Sequence, residues 1–286
     1  MIRQFNTLTK EKVMSTGHSE NKCSHLWLNL DEENWKEQFG KIGYRESIYE
    51  MIKMQDKLQT FMKDKRNVAS PQSCENAHEQ ARWSMYYWGC ATTEWSELLE
   101  RFEDFKMTLI HKSQNTDGPF DHEVIMETYF EYIDIWHFLM NTALYLNGGS
   151  ENLIKSLNKI PNMDADIFVQ YAKSDAVNLA NNVSQGDFHS IMKVGVSYDK
   201  IKLQWSNICD KVGWMIDKSP FKTWKTYEKD VSIGEEELNQ INSIFSDVIR
   251  EFVKLGATIG VESFDIFTKL YFAKNQENFD RQNKGY

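Results

Sequence analysis

Helix breakers are scarce in this chain. Four prolines and fourteen glycines are all that punctuate 286 residues, which leaves room for long helices. Strand signals are weak throughout. Cysteine is equally sparse. Cys23, Cys74, Cys90 and Cys209 are widely spaced and form no C-x-x-C pair, so free thiols in a reducing compartment are expected rather than a structural zinc site. No run of about 18 apolar residues occurs, so no membrane span is expected. The polar N-terminus has no apolar h-region, so no signal peptide is expected either, and the expected location is the cytoplasm (the host's, if the chain is viral). Positive charge is in deficit. Thirty-three Lys and Arg face forty-two Asp and Glu, a net charge of −9, which offers no basic field to nucleic acid or to an anionic membrane. A phosphate substrate stays open, provided divalent cations bridge it to carboxylates.

What is present is an ordinary globular composition, 41% hydrophobic and 26% charged, in a chain long enough for a sizeable core. Residues 1–30 lack periodicity and are expected to be a loosely ordered extension. Cys23 and His25 lie close together there without further ligands. Residues 31–286 read as one all-α domain, with an inserted or elaborated helical region at about 150–255. The apolar spacing of Ile48, Met51, Ile52, Met54, Leu58 and Phe61 predicts a helix over 46–65. A second helix is predicted over 76–111, then a loop over 113–119. A third is predicted over 122–146, ended by Asn147, Gly148 and Gly149. Helical pieces are predicted at 163–181, 197–217 and 222–229. Two more are predicted from Glu235 to Lys274, with Gly256 and Gly260 near their junction.

Two pairs of acids stand out. Glu94 and Glu97 are three residues apart, one turn up the same helix face, and Glu131 and Asp134 repeat the spacing on the third helix. Antiparallel packing across the 113–119 loop would bring the pairs face to face. Four clustered carboxylates repel unless cations lie between them, and Mg²⁺ suits such hard oxygen ligands. Their company is apolar. Tyr129, Phe130, Tyr132, Ile133, Ile135, Trp136, Phe138 and Leu139 surround the second pair in sequence, and buried acids need compensation. Trp83, Tyr87 and Cys90 share a face with Glu94, so aromatic rings above the acids are placed to floor a pocket for a base. Gln55 and Gln59 share a face of the first helix.

These residues resemble a known family. Glu94-x-x-Glu97 followed by Glu131-x-x-Asp134-Ile-Trp-His-Phe is similar to the all-α nucleoside triphosphate pyrophosphatase superfamily. More closely it resembles the dimeric dUTPase branch, which includes bacteriophage dCTPase–dUTPase enzymes. Met51-x-x-Met54-Gln55-x-x-Leu58-Gln59 resembles the branch's first motif. The tail resembles its K-N-x-x-N-x-x-R-Q-x-x-G-Y signature through Lys274, Asn275, Asn278, Arg281, Gln282, Gly285 and Tyr286. The likeness occupies about 48–62, 83–100, 127–146 and 257–286.

The resemblance implies an all-helical homodimer that cuts a pyrimidine deoxynucleoside triphosphate between the α- and β-phosphates. Glu94, Glu97, Glu131 and Asp134 would hold Mg²⁺, with Glu94 the candidate for orienting the attacking water. Gln55, Gln59, Trp83, Tyr87, Phe138 and Asn141 would bind the base. Lys274, Asn278, Arg281 and Tyr286 would grip phosphate or sugar, which suits an acidic protein that must seat a charged tail. Gln59 stands where dUTPases usually carry Asn. Its amide has both a donor and an acceptor end, so dUTP, dCTP or both are expected substrates. A house-cleaning pyrophosphatase for other or modified nucleotides, and a non-catalytic nucleotide-binding regulatory protein, are the competing readings. Lys222-Thr-Trp224-Lys225 lies within reach of phosphates as a minor candidate.

Overall fold

Nearly every surface of one helix in this protein is covered by other helices. In the computed structural model the described residues are 26, 30–114, 122–160, 188–220, 232–261 and 263–284. Among them are eight α-helices and one short 3-10 turn, with no strand: α1 (Glu32–Gln38), α2 (Tyr44–Arg66), the turn Pro71–Ser73, α3 (Ala77–Gln114), α4 (His122–Asn147), α5 (Ser150–Leu157), α6 (Phe188–Asp217), α7 (Glu235–Ile259) and α8 (Phe264–Lys284). The predicted pieces at 163–181 and 222–229, Cys23, His25, most of the loop after α3, and Tyr286 lie outside the described residues.

The covered helix is α4. Its sequence is apolar all round, and such a helix has to be enclosed. From Ile125 to Leu146 its large side chains are almost all buried. The most extensive contact is with α3, and α2, α5, α7 and α8 complete the enclosure. The α3–α4 pair is antiparallel. Near the start of α3, Ser84 Oγ donates to the Thr142 carbonyl, and further along α3 the Arg101 carbonyl accepts from Thr128 Oγ1. Opposite α3, Tyr132 stacks on Phe252 of α7 at 4.2 Å, and Trp136 stacks on the same ring at 5.2 Å. Phe267 of α8 meets Tyr132 and Trp136 at 5.9 Å each. Burying rings of this size stabilises the fold by roughly 1.5–3 kcal/mol each.

Polar contacts fix the register. Asn147 and Asn242 exchange amide hydrogen bonds at 2.9 and 2.7 Å in the core. Tyr132 Oη donates to the Phe252 carbonyl at 2.9 Å. Gly256 is one place where glycine is obligatory, because a Cβ there would overlap the Tyr132 phenol. Gly260 ends α7 with a φ of 103°, a left-handed conformation that glycine adopts without strain. The expected junction thus resolves into Gly256 inside α7 and Gly260 as its cap.

Two expectations shift in detail. Leu26 and Leu30, placed in the loosely ordered extension, are buried in the main core. The polar tail from Lys274 is helical as far as Lys284, as the second half of α8. This helix packs on α2 and α4, and Tyr271 Oη donates to the Met51 carbonyl at 2.9 Å. Among the described residues no helix is long and apolar enough to cross a membrane. Cys74, Cys90 and Cys209 are free thiols, as expected.

Candidate functional site

Moving from Tyr87 to Glu94 along α3, the antiparallel partner runs from Phe138 back to Glu131 along α4. Tyr87 and Phe138 stack at 6.1 Å. Seven residues away on each helix, carboxylate oxygens of Glu94, Glu97 and Glu131 lie within 4.8 Å of one another. Two full turns therefore separate an aromatic end of the α3–α4 seam from an acidic end. Glu97 is exposed, while Glu94 and Glu131 are half-buried.

Electrostatics mark this cluster as strained. Burial, then the charges of Asp134, Glu97 and Glu131, push Glu94 up to about 7. Burial, then Asp134, push Glu131 up to about 7 as well. Such acids are poorly compensated by the protein itself, and their oxygens are the hard donors that a divalent cation takes. The residues present therefore fit such an ion.

Asp134 stands one turn beyond the three glutamates, bound to a different partner. Lys274 Nζ of α8 lies 2.8 Å from its Oδ2 and 3.5 Å from Glu277 Oε2. Burial opposes the lysine's charge, but Asp134 outweighs it and holds the ammonium above its usual pKa. Burial also raises Asp134 above the ordinary carboxylate value, with Lys274 opposing. His137, 3.7 Å from Asp134, adds no charge. Burial pushes its imidazole down to about 3, against the Ile133 backbone, which favours the charged form.

The polar floor of the aromatic end comes from α2 and α4. Gln55 Nε2 donates to Asn141 Oδ1 at 3.0 Å. Gln59 Oε1 accepts from Tyr87 Oη at 2.6 Å. Trp83 closes the group, 6.2 Å from Tyr87 and 5.9 Å from Tyr145, with its indole nitrogen buried and without a partner among the described residues. Direct contacts thus join the six residues expected to bind the base into two groups, Gln55 with Asn141 and Tyr87 with Gln59, Trp83 and Phe138, one helical turn apart on α2 and on α4.

The phosphate set is assembled less completely. Lys274 reaches the acidic end directly. Arg281, two turns on, is exposed and paired with Glu277, and Asn278 is half-buried between them. Tyr145 and Glu277 escaped the sequence reading. Tyr145, which approaches Gln59, was signalled by its position one turn beyond Asn141 on the same face of α4. Glu277 had the corresponding spacing from Lys274 but was lost in a run of polar residues. Glu127 of α4 faces Arg101 at 3.5 Å and belongs to neither end.

Comparison with curated proteins and with solved structures returns no match. A family model described as dUTPase matches residues 47–211, more than half of the chain. That range contains both carboxylate pairs and the whole aromatic end, in an all-helical fold, and the chain belongs to the all-α dUTPase family.

Proposed function

We propose that this chain is a Mg²⁺-dependent pyrophosphohydrolase that cuts dUTP, dCTP or both between the α- and β-phosphates, releasing the deoxynucleoside monophosphate and pyrophosphate. It acts in the cytoplasm as a homodimer of the branch that includes the bacteriophage enzymes. The observation that carries the reading is the convergence of Glu94, Glu97 and Glu131 within 4.8 Å, beside the Asp134–Lys274 pair.

Glu94, Glu97, Glu131 and Asp134 would hold the metal. When bound, Mg²⁺ neutralises charge on the phosphates and lowers the pKa of coordinated water. The chain's own groups do the rest. Glu94, half-buried beside Glu97 and Glu131, orients the attacking water and takes its proton. The water oxygen forms a bond to the α-phosphorus as the bond to the bridging oxygen breaks and pyrophosphate leaves. Lys274 grips the phosphate tail, with Asn278, Arg281 and Tyr286 following along the chain. The aromatic end holds the base against Tyr87, Phe138 and Trp83.

The deciding experiment is a pyrophosphate-release assay on dUTP, dCTP, dTTP and their diphosphates, with Mg²⁺ and with chelator. Metal-dependent pyrophosphate release from dUTP or dCTP is expected, whereas the same cut in a diphosphate would yield orthophosphate instead. Release from no nucleotide at all would overturn the reading, and release mainly from modified or purine nucleotides would favour the house-cleaning alternative.

A further inference from the structure

Gln55 and Asn141 face each other in the core, each 1% exposed, and one hydrogen bond joins them. That bond uses one end of each amide. Among the described residues Gln55 Oε1 is buried with no partner, and Asn141 Nδ2 makes no hydrogen bond. A buried amide with an idle oxygen is costly, and it marks a place that a ligand completes. Gln59, one turn along α2, is held differently. Its Oε1 lies 2.6 Å from Tyr87 Oη and 3.4 Å from Tyr145 Oη. A separation of 2.6 Å suits an O–H donor better than an N–H donor. The Gln59 oxygen is therefore committed to the phenol, and its Nε2 remains as a donor.

A pyrimidine presents three groups in a row along one edge. In uracil they are acceptor, donor, acceptor at O4, N3–H and O2. In cytosine they are donor, acceptor, acceptor at N4–H₂, N3 and O2. Each needs one acceptor and two donors from the protein, in different order. Resting on the pyrimidine-nucleotide reading above, we propose that Gln55 and Asn141 read the base as a coupled pair whose amides turn over together, so that one pocket accepts both uracil and cytosine.

Gln55 bonds Asn141 and stands one turn from Gln59 on α2, and that succession is the order proposed. As found, Asn141 Nδ2, Gln55 Oε1 and Gln59 Nε2 offer donor, acceptor, donor, the complement of uracil. Turning both amides through half a rotation keeps the Gln55–Asn141 hydrogen bond and reverses its direction, with Asn141 Nδ2 now donating to Gln55 Oε1. The outward series becomes acceptor, donor, donor, the complement of cytosine. Gln59 donates to O2 in both states, and O2 is the group the two bases share. The amide pair gains and loses no net hydrogen bond in the turn, so neither base meets a standing penalty. A fixed array would behave otherwise, because unmatched buried polar groups at positions 3 and 4 reject the wrong base by about 10⁴-fold.

The test compares kcat/KM for dUTP and dCTP, and calorimetric binding of dUMP and dCMP, in the wild type and in Asn141→Asp and Asn141→Ala. The wild type is expected to treat the two bases within about tenfold of each other, against the 10⁴ of a fixed array. A carboxylate at 141 cannot donate, so it holds the Gln55 nitrogen toward itself and leaves acceptor, acceptor, donor. Both substrates should then fall by about 100-fold or more. Amides acting independently would instead make Asn141→Asp selective for dCTP, which overturns the coupling. If thermal denaturation shows Asn141→Asp to be unfolded, Asn141→Ala decides. A similar fall on both substrates supports the switch, and a fall on one alone overturns it. Hydrolysis of dUTP with none of dCTP sinks the switch and leaves the proposed function standing, whereas no hydrolysis of any nucleotide sinks the proposed function.

Discussion

Replacing Glu131 by Gln should stabilise the metal-free protein at high pH while weakening its response to Mg²⁺. Oxygens of Glu94, Glu97 and Glu131 lie within 4.8 Å of one another. At that distance a pair of unit charges repels by roughly 1 kcal/mol in a water-like medium and roughly 3 kcal/mol at an effective dielectric near 20. Solvent at exposed Glu97 favours the lower figure and half-buried Glu94 the higher. Burial and neighbouring acids lift Glu94 and Glu131 from 4.5 to about 7 in the folded chain. Between those values the folded state binds more protons than the unfolded state, so stability falls as pH rises. The contribution is complete below the unfolded value of 4.5 and is lost on passing about 7. In chelator, Glu131→Gln should therefore exceed the wild type by roughly 1–3 kcal/mol at about pH 8 and by almost nothing at about pH 4. For a chain of this size that is a Tm gain of about 2–6 °C. Thermal denaturation followed by circular dichroism, with chelator and with millimolar Mg²⁺, measures both effects. A gap independent of pH, or a variant less stable than the wild type at high pH in chelator, would refute the repulsion argument. It would mean that the protein already compensates these acids without metal.

Two further substitutions probe the supports of the site. Gly256→Ala should destabilise the fold by about 1–3 kcal/mol, although alanine usually favours a helix interior. The added Cβ would overlap a Tyr132 phenol clamped on Phe252, and urea denaturation checks the sign. Lys274→Met should lower the metal-free Tm most where Asp134 is ionised, above its raised pKa, because Asp134 loses the cation 2.8 Å from it and a broken buried pair costs up to about 3–5 kcal/mol. Mg²⁺ should narrow that deficit while KM for the triphosphate rises. A Tm equal to the wild type's in chelator would show that the pair contributes nothing.

The long helices were legible because one periodicity governs each of them. The predicted 46–65, 76–111 and 122–146 correspond to Tyr44–Arg66, Ala77–Gln114 and His122–Asn147. The antiparallel opposition of the acid pairs followed from the same spacing. Less legible were features created by packing between elements distant in sequence. Nothing local told Asp134 apart from its three companions, yet α8 delivers a lysine to it from 140 residues further along. Residues 26 and 30 looked irregular because two buried leucines make no periodic pattern. The base question was expected to turn on Gln59, whose amide is free to rotate in sequence terms. Tyr87 approaches that amide's oxygen, and the freedom passes to the Gln55–Asn141 pair.

The contribution of α8 explains why a site can extend past its recognisable core. The family match ends at residue 211, so it holds the acids and the aromatic end but not Lys274. Within that range Asp134 would lack its cation, and Tyr132 and Trp136 would lose Phe252 and Phe267. The two losses are linked, because Asp134 lies on α4 between those two rings. The same α8 that covers the apolar side of α4 through Phe267 carries Lys274 to its acidic side, seven residues and two turns later. Packing energy from the ring side thus helps place a lysine whose burial works against its charge, a cost that Asp134 more than offsets. Hydrophobic closure by the C-terminal helix and assembly of the charged end are in this way one structural event.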